Sequence, residues 1–573
     1  MRTQLKVTIC ALLALLATGV AAAPFRPTHA RHAIVTSVHE LASRAGVEVM
    51  QAGGNAVDAA VATGFALAVV HPQAGNLGGG GFLLLRTAGG EVHFIDFREK
   101  APAAATENMY LDAQGKVISD LSVVGYKAIG VPGSVAGLAY AEKKYGKLSL
   151  EKVIAPAIKL ARDGFPLAYE DARDIADDED LARFPDSRRI FQRDGRYYQP
   201  DEVLKQPELA RTLERIAKNP DDFYRGALAH ELAAAIQKGG GLVTAADLAA
   251  YEVKEREPVR GTYRGYEIIG APPPSSGGTT LIEILNILEG FNLAKSGNRS
   301  ADAIHLTAEA FRRAFYDRTD FMGDPDFSKI PVPQLIDKKY AEAWRATIDV
   351  SHASASKDLK RPAFADLERV AVSHAIAIRE PENTTHYSVV DNEGDAVAVT
   401  TTLNDSFGSR VTAEGLGFLL NDEMDDFASK QGVPNAYGLI QGPANAIGPN
   451  KRPLSAMTPT IVLKDGKLFL VLGSPGGPTI ITTVANILMG VIDFGLDIQE
   501  AVNAPRFHHQ WLPDEIDVED RVSPDTMNLL RSRGHKLRVQ HFWGDGECIL
   551  VDPKSGERLG ASDGRNNGKA VGY

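Results

Sequence analysis

Apolar positions along this chain follow two periods, one helical and one of alternating strand type, and their order already implies a layered protein. Ala42, Ala45, Val49 and Met50 share one helical face before Gly53-Gly54 stops the turn, and the alanine-rich run Ala56 to Val70 predicts a second, deeply buried helix. Phe82 to Leu85 and Val92 to Ile95 then read as a strand pair. Ser149 stands where an N-cap is expected for a helix carrying Ile154, Ile158 and Ala161, with Gly164 and Pro166 at its end. From there to about residue 350 the pattern is dominated by helices. The second half opens on β-rich runs, His386 to Val390 and Ala396 to Thr402, joined by the hairpin signal Asp391-Asn392-Glu393-Gly394-Asp395. Thr460 to Leu463 and Leu468 to Leu472 repeat it around Asp465-Gly466. Helices are expected at Thr479 to Met489 and after Asp497, where Asp497 and Glu500 have capping-box spacing. Strands set between helical segments predict a layered α/β fold.

Composition narrows the class. Of 573 residues, 44% are hydrophobic, enough for a large packed core. Met1 to Ala23 reads as a secretory signal: Arg2 and Lys6 form its basic start, Val7 to Val20 its apolar middle, and Ala21 to Ala23 its cleavage region. The expected address is therefore exported, periplasmic or secreted, with no stable membrane anchor, since the apolar run is too short for a spanning helix. Removing that segment discards Cys10 and leaves Cys548 alone, so no intrachain disulfide staples the mature chain. It also removes Arg2 and Lys6, taking the formal charge from −11 to −13, which argues against nucleic acid as a partner.

The sharpest chemical feature is Asn383-Thr384-Thr385-His386, where a polar run turns into strand sequence. A threonine hydroxyl attacks poorly unless a base sits beside it, and a cut just before Thr384 would free one, its own α-amine. Such an amine titrates at about 7.7 to 8.0 and accepts a proton near neutral pH. The preceding stretch Ser351 to Asn383 is polar and reads as a mobile linker with one apolar patch, Val370 to Ile378. Gly476 and Gly477, in Gly473-Ser474-Pro475-Gly476-Gly477, offer backbone amides free of side chains, which an oxyanion needs.

These residues sit among blocks that together resemble the γ-glutamyltransferase (glutathione hydrolase) family of N-terminal-nucleophile hydrolases. The blocks include Gly53-Gly54-Asn55-Ala56-Val57-Asp58, Asn76-Leu77-Gly78-Gly79-Gly80-Gly81, Asp96-Phe97-Arg98-Glu99 and Pro272-Pro273-Pro274-Ser275-Ser276. Asn421-Asp422-Glu423-Met424-Asp425-Asp426, Arg452-Pro453-Leu454-Ser455 and Ala504-Pro505-Arg506-Phe507 continue them in the family's order. The resemblance implies an αββα sandwich built from both fragments of one precursor. Residues 24–383 become a large subunit, with 351–383 as its slack end, and 384–573 become a small catalytic subunit.

Thr384 is then the nucleophile that cuts Asn383-Thr384 and later carries the γ-glutamyl group, with Thr402 orienting it and Gly476 and Gly477 forming the oxyanion hole. Arg98 and Ser455 match the residues that bind the substrate carboxylate; Asn404, Glu423 and Asp426 match those that hold its ammonium. The implied substrates are glutathione and other γ-glutamyl compounds, with water, amino acids or peptides as acceptors. No cofactor or metal is implied, and no spacing resembles a calcium loop.

One position departs from the pattern: Ala456 replaces the second of two adjacent serines, a loss worth about 1.5 to 3 kcal/mol of carboxylate binding if nothing compensates. It leaves open a cephalosporin (glutaryl) acylase on the same scaffold. An uncleaved γ-glutamyl-binding protein is a further alternative. Tyr437 stands where some members carry a lid tyrosine.

Overall fold

The computed structural model describes residues 26–364, 367, 384–430, 433 and 441–573. The signal segment 1–23, the apolar patch Val370 to Ile378, Asn383 and Tyr437 lie outside the described residues.

Two seven-stranded antiparallel sheets lie face to face. The first runs Lys569–Gly572, Ile34–Ser37, Thr385–Val390, Ala396–Thr402, Gly80–Arg86, Val92–Phe97, Lys254–Arg256. The second runs Thr28–Ala30, Arg558–Ala561, Cys548–Val551, Lys467–Leu472, Thr460–Lys464, Tyr266–Gly270, Val259–Tyr263. Alternation along the strands builds the layers. Phe82, Leu84, Ala396 and Ala398 of the first sheet meet Ile269, Ile461, Val471 and Ile549 of the second in a core between the sheets. Their neighbours Leu83, Leu85, Val397 and Val399 point the other way, onto a helical layer that includes Ala56–Val70. Val462, Leu470 and Leu472 face the opposite helical layer, built on Gly277–Leu288, Ala301–Phe321 and Thr479–Ile492. The architecture is the expected αββα sandwich.

Segments from before and after residue 384 are neighbours within both sheets. A break there therefore separates no layer: each fragment keeps the other's strands in register. The helix Ala56–Val70 is buried over its whole length, and Asn55 and Asp58 close a capping box at its start. Asp391, in the hairpin turn, accepts from the Ala56 amide at 2.9 Å and from three amides of its own turn, tying the Thr385–Val390 hairpin to that helix.

Two expectations need correction and one needs an addition. The region read as helical up to residue 350 also supplies Lys254–Arg256, Val259–Tyr263 and Tyr266–Gly270, which complete an edge of each sheet. Ser149 does precede the Leu150–Asp163 helix, but its side chain makes no capping bond. The described start of the 351–383 segment is anchored rather than slack: Ser356 Oγ donates to the Trp511 carbonyl at 2.6 Å, and Arg361 pairs with Asp317 and Asp320. Its polar residues find buried partners, which composition alone does not reveal.

One buried acid sets a pH dependence. Glu142, on the Ser134–Tyr145 helix, is pushed up to about 9 by burial and then by the Asp58 carboxylate. Its ordinary value is 4.5. The folded chain therefore keeps a proton that the unfolded chain releases, so this group's contribution is complete below pH 4.5 and drains away as pH rises toward 9. Glu142→Gln retains a donor toward Asp58 without the titration. Its unfolding free energy should gain on the parent's as pH rises from 5.5 to 8, by at most roughly 1.4 kcal/mol per pH unit, a difference that denaturant titration reads. Equal pH slopes for the two proteins would contradict the assignment.

Candidate active site

Thr384 stands immediately before a central strand, and strand register decides what it faces. Thr385 pairs with Thr401 and His386 with Thr400, so Thr384 lies opposite Thr402 and both side chains occupy the inner sheet face. Their hydroxyl oxygens are 3.3 Å apart. Thr402 is fixed in turn, its Oγ1 accepting from the Asn404 amide at 2.8 Å. This close approach requires glycine next door: a Cβ on Gly79 would stand 2.0 Å from the Thr402 carbonyl oxygen. The glycine run before Phe82 is thus packing against the strand pair that carries Thr384 and Thr402, with no side chain to hold it off.

A narrow cleft opens at this end of the inter-sheet space, lined by Thr384, Thr402, Asn404 and Arg98. Glu423, Asp426, Ser455 and Gly477 complete the predicted set on its wall. Gly476 is not on the wall but directly precedes it in the turn leading to the Thr479–Ile492 helix. That turn needs glycine, with φ of 124° at Gly476 and 50° at Gly477. The Gly476 carbonyl accepts from the Thr479 amide at 2.9 Å and the Gly477 carbonyl from Ile480 at 3.1 Å. Their bonding turns the loop into the positive end of a fourteen-residue helix.

Charge is concentrated around Arg98. It is buried, with Nη1 paired to Glu423 and 3.5 Å from Glu99, and Nη2 paired to Asp426. Nε and Nη2 also donate to the Pro453 and Leu454 carbonyls at 3.3 and 3.2 Å. Burial by itself would lower the guanidinium's pKa, but Glu423, Asp426 and Glu99 outweigh it and raise it further. The acids respond unequally. Burial holds the Glu423 carboxyl well above its usual range although Arg98 pulls it down, and it pushes Glu99 up to about 7 against the same arginine.

The sequence reading missed Arg318 and the apolar wall. Arg318, from the Ala301–Phe321 helix, lines the cleft with Ala456, Met457, Pro478 and Ile480. No motif flags an arginine in a long helix interior; only the fold brings it here. Elsewhere among the described residues, His305, Glu309 and His535 place ligand atoms within 4.8 Å of one another. Glu309 is already committed to Arg312 and Arg313, at 3.3 and 2.6 Å, so its charge is balanced without a metal. No helix among the described residues is long and apolar enough to cross a membrane.

Known proteins match this chain along nearly its whole length. The Gamma-glutamyltranspeptidase family model covers residues 42–573. The glutathione hydrolase proenzyme of Escherichia coli (strain K12) is 51% identical, over 96% of this chain and 93% of its own. That of Pseudomonas sp. (strain A14) is 48% identical, over 98% and 99%. The crystal structure of cephalosporin acylase from Bacillus halodurans superposes with a TM-score of 0.83 at 28% identity, covering 97% of this chain and 98% of that one.

Proposed function

The chain belongs to the γ-glutamyltranspeptidase family of enzymes, and from that premise we propose that Thr384 first severs its own peptide bond and then carries the γ-glutamyl group. The observation that carries the proposal is the placement of the Thr384 hydroxyl, 3.3 Å from Thr402, in the cleft that also holds Arg98, Asp426 and Gly477.

In self-cleavage, Oγ1 of Thr384 attacks the Asn383 carbonyl carbon and the C–N bond breaks. The hydroxyl proton passes to the departing nitrogen, and an ester joins the two fragments. Water hydrolyses that ester, leaving a carboxylate on Asn383 and an α-amine on Thr384. Residues 24–383 and 384–573 are the proposed subunits, and the chain is proposed to be exported to the periplasm or beyond. In turnover, the neutral amine takes the Oγ1 proton as oxygen attacks the γ-glutamyl carbonyl. Gly476 and Gly477 amides, at the positive end of the helix, stabilise the oxyanion. Its collapse expels the leaving amine, cysteinylglycine for glutathione, which collects the proton. Water or an amino acid or peptide amine then takes the acyl group. Arg98 and Ser455 hold the α-carboxylate; Asn404, Glu423 and Asp426 hold the ammonium, whose arrival favours the ionised form of Glu423.

Ala456 and the likeness to a cephalosporin acylase support a second reading, hydrolysis of glutaryl amides. Comparing γ-glutamyl-p-nitroanilide with glutaryl-p-nitroanilide separates them, because only the first bears an ammonium. We expect kcat/KM to favour the γ-glutamyl compound by at least about 100-fold, since unpaired buried acids penalise the analogue. A preference for the glutaryl compound would replace the first reading by the second.

A further inference from the structure

Among the described residues, Arg318 is a buried cation without an ionic partner in contact. Its Nε donates to Ser276 Oγ at 2.8 Å, while Nη1, sealed from water, finds no hydrogen-bond partner among them. The side chain cannot easily turn away. Ser276 anchors it and itself donates, from Oγ at 2.7 Å and from its amide at 2.8 Å, to the Ser455 carbonyl. Arg318 is thus one bonded step from Ser455 and shares the cleft wall with Ala456, where the family pattern has a hydroxyl. Burial lowers its pKa to about 10, with Asp426 pulling it back up, so it remains a cation at neutral pH. A buried guanidinium with an unused N–H costs free energy unless an anion arrives.

Arg98 is in the opposite situation, since Glu423, Asp426 and Glu99 already surround it. A ligand carboxylate must share that guanidinium with three acids. Resting on the γ-glutamyl reading above, we infer that Arg318 is a second guanidinium for the substrate α-carboxylate, its Nη1 supplying the hydrogen bond that a hydroxyl at position 456 would have made. The departure at Ala456 is then a change of donor, from a neutral hydroxyl to a charged N–H. The chain keeps glutamyl recognition while losing a serine.

The test uses matured, two-fragment enzyme and two anilides differing only at the α-carbon: γ-glutamyl-p-nitroanilide and 4-aminobutanoyl-p-nitroanilide, which lacks the carboxylate. Arg318→Met should raise KM for the first about 10- to 100-fold, the worth of one charge-assisted hydrogen bond, with kcat within about fivefold. For the second substrate kcat/KM should stay within about threefold, and Ala456→Ser added to Arg318→Met should recover part of the lost KM. Arg318→Lys, which keeps the charge and serves if the methionine variant fails to mature, should fall between parent and Arg318→Met on the first substrate alone. Unchanged KM, or equal losses on both substrates, would overturn the inference. The underlying reading fails separately: a parent enzyme that does not distinguish the two anilides would show that no carboxylate site operates at all.

Discussion

Thr384→Ala should yield one unbroken chain on a denaturing gel and lose activity by on the order of 10⁴-fold or more, as expected when a covalent nucleophile is removed. The argument is geometric. Thr384 lines the cleft and directly follows the peptide bond proposed to be cut, and no neighbour among the described residues is placed to substitute. Thr402, 3.3 Å away, is held by the Asn404 amide and carries no amine that cleavage could free. Thr385 projects to the other sheet face, because successive strand residues alternate. Thr384→Ser keeps the hydroxyl and should still be cut, more slowly, because the methyl that restricts the rotamer is gone. Continued cutting at the same bond in Thr384→Ala would remove self-processing by the threonine.

Arg98→Met should raise KM for γ-glutamyl-p-nitroanilide by at least about 100-fold and also cost roughly 3 to 5 kcal/mol of stability, the typical effect of breaking a buried ion pair. Both effects come from one change. Glu423, Asp426 and Glu99 lose the cation that compensates them, and the proposed site loses its main donor to the substrate carboxylate. The stability deficit carries a pH signature. Without Arg98 the Glu423 and Glu99 carboxyls titrate higher still, so the folded state binds more protons than the unfolded one over a wider range, and the deficit should grow from pH 5 to pH 8. Melting curves across that range check this; a deficit independent of pH would place the loss in packing alone.

Much of the fold was legible because it follows from period. The strand pair Gly80–Arg86 and Val92–Phe97, the hairpin around Asp391 and the buried helix Ala56–Val70 emerged with boundaries within a few residues. Their patterns run long enough to overcome local noise. The strands near residues 254–270 and 548–561 were not read, since three to five apolar or mixed residues define no period until a sheet receives them. The start of the 351–383 stretch looked unstructured for a related reason: Ser356 and Arg361 are polar, and only partners far away in sequence, Trp511 and Asp317, make them structural.

At the site, resemblance to the family brought out Arg98, Thr384, Thr402, Asn404, Glu423, Asp426, Ser455 and Gly477, and the fold gathers all eight around one cleft. What period and motif could not supply was charge context. That Arg98 is saturated by acids while Arg318 keeps an unused N–H depends on three segments meeting, a helix at 301–321, the Ser276 loop and the Ser455 loop. Asn383 lies outside the described residues, so cleavage rests on Thr384 and its surroundings.

The most direct measurement is Edman sequencing of the smaller fragment from catalytically active protein. The account predicts a sequence beginning Thr-Thr-His-Tyr-Ser-Val, with Thr384 as the free amino terminus. Full activity in a chain that remains joined across residues 383 and 384, or a fragment beginning at another residue, would contradict it.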